Sequence, residues 1–269
     1  MALVALHSSA TGLSALNTDL DVIANNLANV NTDGFKASRV NFQDLLYQEK
    51  ELPGTENSNG DRRPTGLYVG LGVRVSGTQV DFTQGAPLPT GRDLDLMIDG
   101  TGFFQVGVED DRAPGGVAYT RAGNFAINSE GELVLANDQG RRLQPAISIP
   151  EDAIKVNIAA DGRVFALQPG QTEAAEVGQI EIAAFMNPAG LKQVGENLFV
   201  ESAGSGPPIT GEPATSNFGR IQSGFLEASN VDPTSELINL IRTQRAFEMS
   251  SNVIRAADET LRAVANLRR

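Results

Sequence analysis

The stretch Leu13-Ser-Ala-Leu-Asn-Thr-Asp-Leu-Asp-Val-Ile-Ala-Asn-Asn-Leu-Ala-Asn-Val30 decides how the rest of the chain is read. Leu6, Leu13, Leu20 and Leu27 recur every seven residues, and Leu16, Ile23 and Val30 follow three residues behind the last three of them. An apolar stripe at this spacing belongs to a helix that packs along another helix. Ser14, Asn17, Asp19, Asp21, Asn25 and Asn29 occupy the other faces, and Gly34 offers a left-handed stop after Asn31-Thr-Asp. A matching helix is expected at the other end. Asp232 is a good N-cap, Pro233 suits the first helical position, and Glu236 complements the positive helix end. Leu240, Phe247, Ile254 and Leu261 then recur every seven residues, with Ala257 and Val264 extending the stripe. No Gly or Pro interrupts residues 234–269.

Between these arms the pattern changes. Only Gly12 falls in residues 1–30 and only Pro233 in 225–269, so Gly and Pro concentrate in the middle. Residues 93–98 nearly alternate polar and apolar, and 102–106, 132–135 and 177–185 are similar short runs. Turn signals at Asn128-Ser-Glu-Gly131, Asp161-Gly162 and Asn187-Pro188 separate them. Residues 48–66 read as a long exposed polar loop containing Pro53, Gly54, Arg62 and Arg63, and residues 203–217 as an irregular connector. The chain is therefore expected to be mixed α and β, with long N- and C-terminal helices around a β-rich central body. The expected division is 1–34 plus 230–269 as helical arms, 35–80 plus 203–229 as a connecting region, and 81–202 as the β-rich domain.

Composition narrows the chemistry. The 269 residues include no Cys and one His, which excludes disulfide scaffolds, thiol nucleophiles, thiolate zinc sites and multi-His metal sites. The net charge of −12 argues against a nucleic-acid partner. Residues 1–30 hold two acids and no bases, and residues 225–269 hold six of each, so the excess acidity belongs to the middle. No apolar run approaches a membrane span, and the N-terminus lacks the basic region of a secretory signal. Composition alone thus points to a soluble cytoplasmic protein.

Candidate chemical sites reduce to plainer readings. Asp93, Asp95 and Asp99 read as a solvated strand face, since their spacing does not match a calcium loop. Asp110-Asp111 and Asp258-Glu259 read as surface charge, as does the pair Arg62-Arg63. Gly70-Leu-Gly72 is no dinucleotide loop, because Val75 stands where the third Gly belongs. His7 reads as a surface or packing residue. No catalytic residue, cofactor or metal site is expected. The stripes Leu13, Leu16, Leu20, Ile23, Leu27, Val30 and Leu240, Phe247, Ile254, Leu261 are the features left to explain. One such pair alone would leave much apolar surface exposed, so bundling of many copies is favoured; an ordinary intramolecular helical pair is the alternative.

The residues at this point resemble a known family. IANNLANVNTDGFK (23–36) and GFLEASNVDPTSELINLIRTQRAFEMSSNVIRAADETL (224–261) are similar to the N- and C-terminal signatures of bacterial flagellar axial proteins, the rod and hook family. DLDLMIDGTGFFQV (93–106) and YTRAGNFAINSEGELV (119–134) resemble segments that its rod and hook members share. FQDLLYQ (42–48), PTGLYVGLGVRV (64–75) and VGQIEIAAFMNPAGLKQVGENLFVE (177–201) look most like the distal-rod members, with hook and proximal-rod members as the alternative. The resemblance implies a non-catalytic subunit, exported unfolded through the flagellar type III apparatus without a cleaved signal. It implies a hollow helical homo-oligomer with the stripes in a coiled-coil-like inner layer and the central body outside. The implied partners are proximal rod, hook and bushing-ring proteins, with no nucleic acid and no membrane insertion. The implied place is the basal body, from periplasm to outer membrane, where the tube carries torque to the hook. The loop at 48–66, with Pro53, Gly54, Arg62 and Arg63, falls where distal-rod members carry a segment implicated in rod stiffness. A secreted glycan-binding or glycan-active β-rich protein is the alternative of a different class.

Overall fold

Asp232 starts the C-terminal helix as its residue type dictates. Its carboxylate accepts from the Thr234 backbone N–H at 3.0 Å and from the Ser235 hydroxyl at 2.6 Å, and its carbonyl accepts from Glu236 N. These bonds hold its carboxyl below the usual carboxylate range, the Ser235 bond contributing most. From this cap α2 runs Pro233–Leu267, roughly 50 Å at 1.5 Å per residue. The N-terminal helix α1 spans Ala2–Ala28. Gly34 takes φ +69°, as a chain reversal past the helix requires. α1 ends six residues earlier, however, and Val30 lies in the intervening turn rather than on the stripe. The computed structural model describes residues 2–56, 61–109, 112–171, 174–215 and 217–267. The pair Asp110-Asp111, the tip 57–60 of the polar segment and the side chain of Val264 lie outside the described residues.

The chain divides into two compact units. The first joins both helices to residues 38–80. Here β1 (Ser38–Asp44) pairs antiparallel with β4 (Val73–Val80), and β2 (Tyr47–Glu51) pairs with β3 (Leu67–Gly70). α2 packs on α1, and α1 also packs on β1 and β4. The expected loop at 48–66 is therefore corrected at its first end: residues 48–51 are strand, because Tyr47, Val69 and Leu67 supply the β-forming residues that the polar sequence hides.

The second unit comprises 29–37 and 81–231. The expected connecting region thus splits, with 38–80 grouped with the helices and 203–229 with the body. Its main sheet is antiparallel, in the order 192–195, 198–200, 117–120, 103–107, 182–184, 209–211, with 143–144 also on 103–107. Strand 209–211 corrects the reading of 203–217 as wholly irregular. A three-stranded sheet joins 155–158, 163–167 and 175–179. Short ladders pair 220–223 with 96–99 and 225–227 with 87–89. Phe104, Val106, Phe125, Leu133, Leu143, Val164, Ile180, Ile182, Leu198 and Ile221 form its core. Asp95 is a further correction. It is buried rather than on a solvated face, with the Arg92 guanidinium 3.8 Å away, while Asp93 is exposed.

Candidate functional site

The helix pair is pinned by polar groups at fixed spacing. The Thr243 hydroxyl donates to Asp19 at 2.9 Å, and Asn26 Nδ2 donates to Glu236 Oε1 at 3.2 Å. Asp19 and Asn26 are one heptad apart on α1, as are Glu236 and Thr243 on α2. The order reverses between helices, so the pair is antiparallel and in register over at least one heptad. Continuing that register brings the start of α1 beside residue 260, and α2 runs past its end. This explains why Leu261 is exposed although it continues the stripe.

The structure places the other stripe residues within this unit. Ile23 is buried, and Leu13, Leu16, Leu20, Leu27, Leu240, Phe247 and Ile254 are half-buried. The intramolecular helical pair, weighed against bundling in the sequence, is therefore present in a single chain. α2 carries further apolar surface. Leu237, Ile238, Ile241, Met249 and Val253 are exposed, Ile241 to 57% and Met249 to 63%. At 100° per residue, Ile238, Ile241, Met249 and Val253 lie on the side of α2 opposite the Leu240–Phe247–Ile254 line. α2 is thus apolar on two faces, of which α1 covers one.

Asn26 is the residue that sequence reading missed here. It is 2% exposed, donates to Ser38 O at 2.8 Å and accepts from Ser38 N at 2.9 Å. Its signal was a position one heptad after Asp19, on the edge of the stripe. A groove of about 330 Å³ runs beside it, lined among others by Asp19, Asn26, Arg39, Glu236, Arg242 and Thr243. Burial raises the Glu236 carboxyl above its ordinary pKa, with Asp19 and Asp232 adding to the rise and the Asn26 bond opposing it.

The segment expected to confer stiffness is a laced ribbon. Gly54 N donates to Arg63 O at 2.9 Å, and Arg63 N to Thr55 O at 3.1 Å. Arg62 pairs with Glu56 at 3.2 Å, and Arg63 pairs with Glu51. The arginines read as merely solvated thus each have an acidic partner across the ribbon. Pro53 and Gly54 are exposed on its first strand side, opposite Arg63. Leu46, Tyr47, Leu52, Leu67 and Tyr68 are also exposed on or beside this hairpin.

In the second unit, segments distant in sequence meet at a buried charge cluster. Lys36 Nζ lies 2.6 Å from Glu227 Oε1 and donates to Thr83 O at 2.7 Å. Arg121 Nη1 lies 3.3 Å from Glu227 Oε2, and its Nη2 donates to Gly100 O at 2.7 Å. Gly85 N donates to Glu227 Oε1 at 2.9 Å. Asn230 accepts from Ala37 N and donates to Asp81 O and Thr83 O. Sequence reading also missed this cluster. Its only signal was the repetition of Gly-Phe before a charge, in Gly34-Phe-Lys36 and Gly224-Phe-Leu-Glu227. His7 is exposed on α1, as expected. Among the described residues no group of three or more acids or His is placed to hold a metal, and no helix is long and apolar enough to cross a membrane.

Comparison with known proteins agrees with this arrangement. Residues 6–36 match the family described as flagella basal body rod protein, and residues 97–166 the D1 domain of flagellar hook protein FlgE/F/G. Residues 222–267 match the C-terminal region of flagellar basal body rod FlgEFG proteins. The chain is 43% identical to the flagellar basal-body rod protein FlgG of Caulobacter vibrioides, over 98% of this chain and 99% of that one. It is 43% identical to the FlgG of Agrobacterium fabrum, over 95% of each. To the FlgF rod protein of the same Caulobacter it is 33% identical, over 91% of this chain and 89% of that one.

Proposed function

The chain belongs to the flagellar basal-body rod protein family, and from that premise we propose how it serves as a structural subunit of the distal rod. α1 and α2 stand as an antiparallel pair, and copies of this pair line up side by side as the inner, coiled-coil-like layer of a hollow helical tube. The observation that carries this reading is the second apolar face of α2. Each half-exposed side chain on that face gives about 1 kcal/mol when its remaining surface is covered, and the gain repeats at every subunit. A contact between different faces of identical subunits does not close on itself, so it generates an open filament.

In the same reading the β-rich body forms the outer wall, and the ribbon of residues 47–70 braces neighbouring copies so that the shaft resists bending. The acidity concentrated in residues 31–224 then lies on that wall. The partners are proximal rod and hook proteins at the two ends, ring proteins around the shaft, and the flagellar export apparatus that delivers the unfolded chain. The shaft runs through the periplasm to the outer membrane and passes motor torque to the hook. Electron microscopy of basal bodies from a strain lacking its distal rod protein tests this reading. Expression of this chain should restore full-length rods, whereas hydrolysis of peptidoglycan by the purified chain without rod formation would overturn it.

A further inference from the structure

Lys36 is the first basic side chain after His7, and its anion, Glu227, lies 191 residues later. Both side chains are fully buried, and Arg121 is 6% exposed. The cluster therefore holds two cations and one anion out of water. Burial lowers the pKa of Lys36 and of Arg121, Glu227 opposes the fall at both, and Arg121 itself depresses Lys36. Without Glu227 the two cations would face each other without an ion-pair partner: Lys36 would keep Thr83 O and the field of Asp81, and Arg121 would keep Ile98 O, Gly100 O and the face of Phe103. A buried charge left unpaired is far more costly than the pair is favourable.

We infer that Glu227 is a folding checkpoint: the central body cannot close around Lys36 and Arg121 until the segment bearing Glu227 has arrived. Chains are made from the N-terminus. When residues 29–219 are complete, nearly all core side chains exist, including those of the main sheet. Residues 220–231 then add Ile221, Leu226 and Val231 to buried positions, and with them Glu227, the acid that forms an ion pair with both cations. Glu227 sits on the ladder 225–227 with 87–89, and its own carbonyl accepts from Gly34 N at 2.7 Å, so the segment's arrival also fixes the turn that follows α1. The device delays closure of the body until residues 220–231 have been made.

The test uses hydrogen exchange of the full-length chain, read at Phe103–Gly107 and Val117–Thr120 in the body's main sheet. Glu227→Gln keeps the shape and removes the charge, and should lower protection by about 100-fold. Lys36→Met in that background removes one of the two unpaired cations and their mutual repulsion, and should restore part of the protection, even if the single variant fails to fold. Ile221→Ala is the control for apolar loss from the same segment, and Lys36→Met should not rescue it. Wild-type protection in Glu227→Gln, no recovery in the double variant, or equal rescue of Ile221→Ala would each overturn the proposal.

Discussion

Asn26 and Ser38 exchange two hydrogen bonds, Nδ2 to Ser38 O at 2.8 Å and Ser38 N to Oδ1 at 2.9 Å. A side chain on α1 thereby behaves as one more residue of the ladder at the start of β1. Asn26→Leu would leave both backbone groups of the half-buried Ser38 without this partner, at about 1 kcal/mol each. The helix–strand unit should lose stability by about that sum, seen as early loss of exchange protection in residues 2–28. Protection equal to wild type would mean that water replaces the amide.

Glu236 gives that unit a pH dependence. Its carboxyl is raised above the ordinary pKa by burial, then by Asp19 and Asp232, against the Asn26 bond. A raised folded pKa means that the folded state binds the proton more tightly than the unfolded chain. The stabilisation is complete below the unfolded carboxylate pKa and is lost as pH rises through the higher folded value. α1 should therefore be better protected near the acid side of this window than at neutral pH. Glu236→Gln should flatten that dependence and raise protection at neutral pH. Asp232 is shifted the opposite way, so its contribution disappears as pH falls through its lowered pKa. Wild type with a flat profile between the two values would rule out Glu236 as the titrating group.

Glu196 and Asn197 both take positive φ, 56° and 57°, in the turn between strands 192–195 and 198–200. Arg141 and Arg112 hold Glu196 at 2.9 and 2.7 Å, keeping its carboxyl below the ordinary range. Asn197 Nδ2 donates to Asp33 O at 3.1 Å. Glu196→Ala loses the clamp and keeps the strain, whereas Glu196→Gly loses the clamp and relieves it. Urea unfolding should find the glycine variant the more stable by about 1 kcal/mol. The reverse order would show that the backbone is not strained there.

Gly72 takes φ +117°, and a Cβ on it would clash with Thr11 Oγ1. Gly72→Ala should destabilise the helix–strand unit by more than about 1 kcal/mol. Thr11→Ala should recover the steric part and leave the backbone part, which a double-mutant cycle by thermal unfolding separates. Full recovery would place the whole cost in the contact.

The arms were legible because their determinants are local. Asp232, Pro233 and the seven-residue spacing act within a few turns, and helix existence, cap and direction follow from them. The body was less legible because its strands are only two to five residues long and pair across large separations, as Ile221 does with Ile98. Residues 48–51 looked like loop because their partner, 67–70, lies beyond a polar turn. The buried cluster was hidden for a different reason. A Lys, an Arg and a Glu each read as solvated until the fold brings them together, and their separations of 85 and 106 residues carry no periodicity. Most of the stripe is half-buried in the helix–strand unit. Whether its partner is the chain's own helix or another copy is not encoded in its spacing.

The two faces of α2 make the assembly proposal separable from folding. Leu20 and Phe247 are half-buried within the helix–strand unit, whereas Ile241 and Met249 are exposed on the far side. Leu20→Asp or Phe247→Asp places a charge in the helix pair, so exchange protection of α1 should fall in the isolated subunit and rods should be lost as a consequence. Ile241→Asp should leave that protection, and that of Phe103–Gly107, at wild-type levels, because no neighbour in the chain is disturbed. It should nevertheless abolish rods in the strain lacking its distal rod protein, since the buried carboxylate repeats at every subunit contact. If Ile241→Asp and Met249→Asp both build full-length rods, the outward face of α2 is not the surface on which copies meet, and the inner layer must be held by α1 instead.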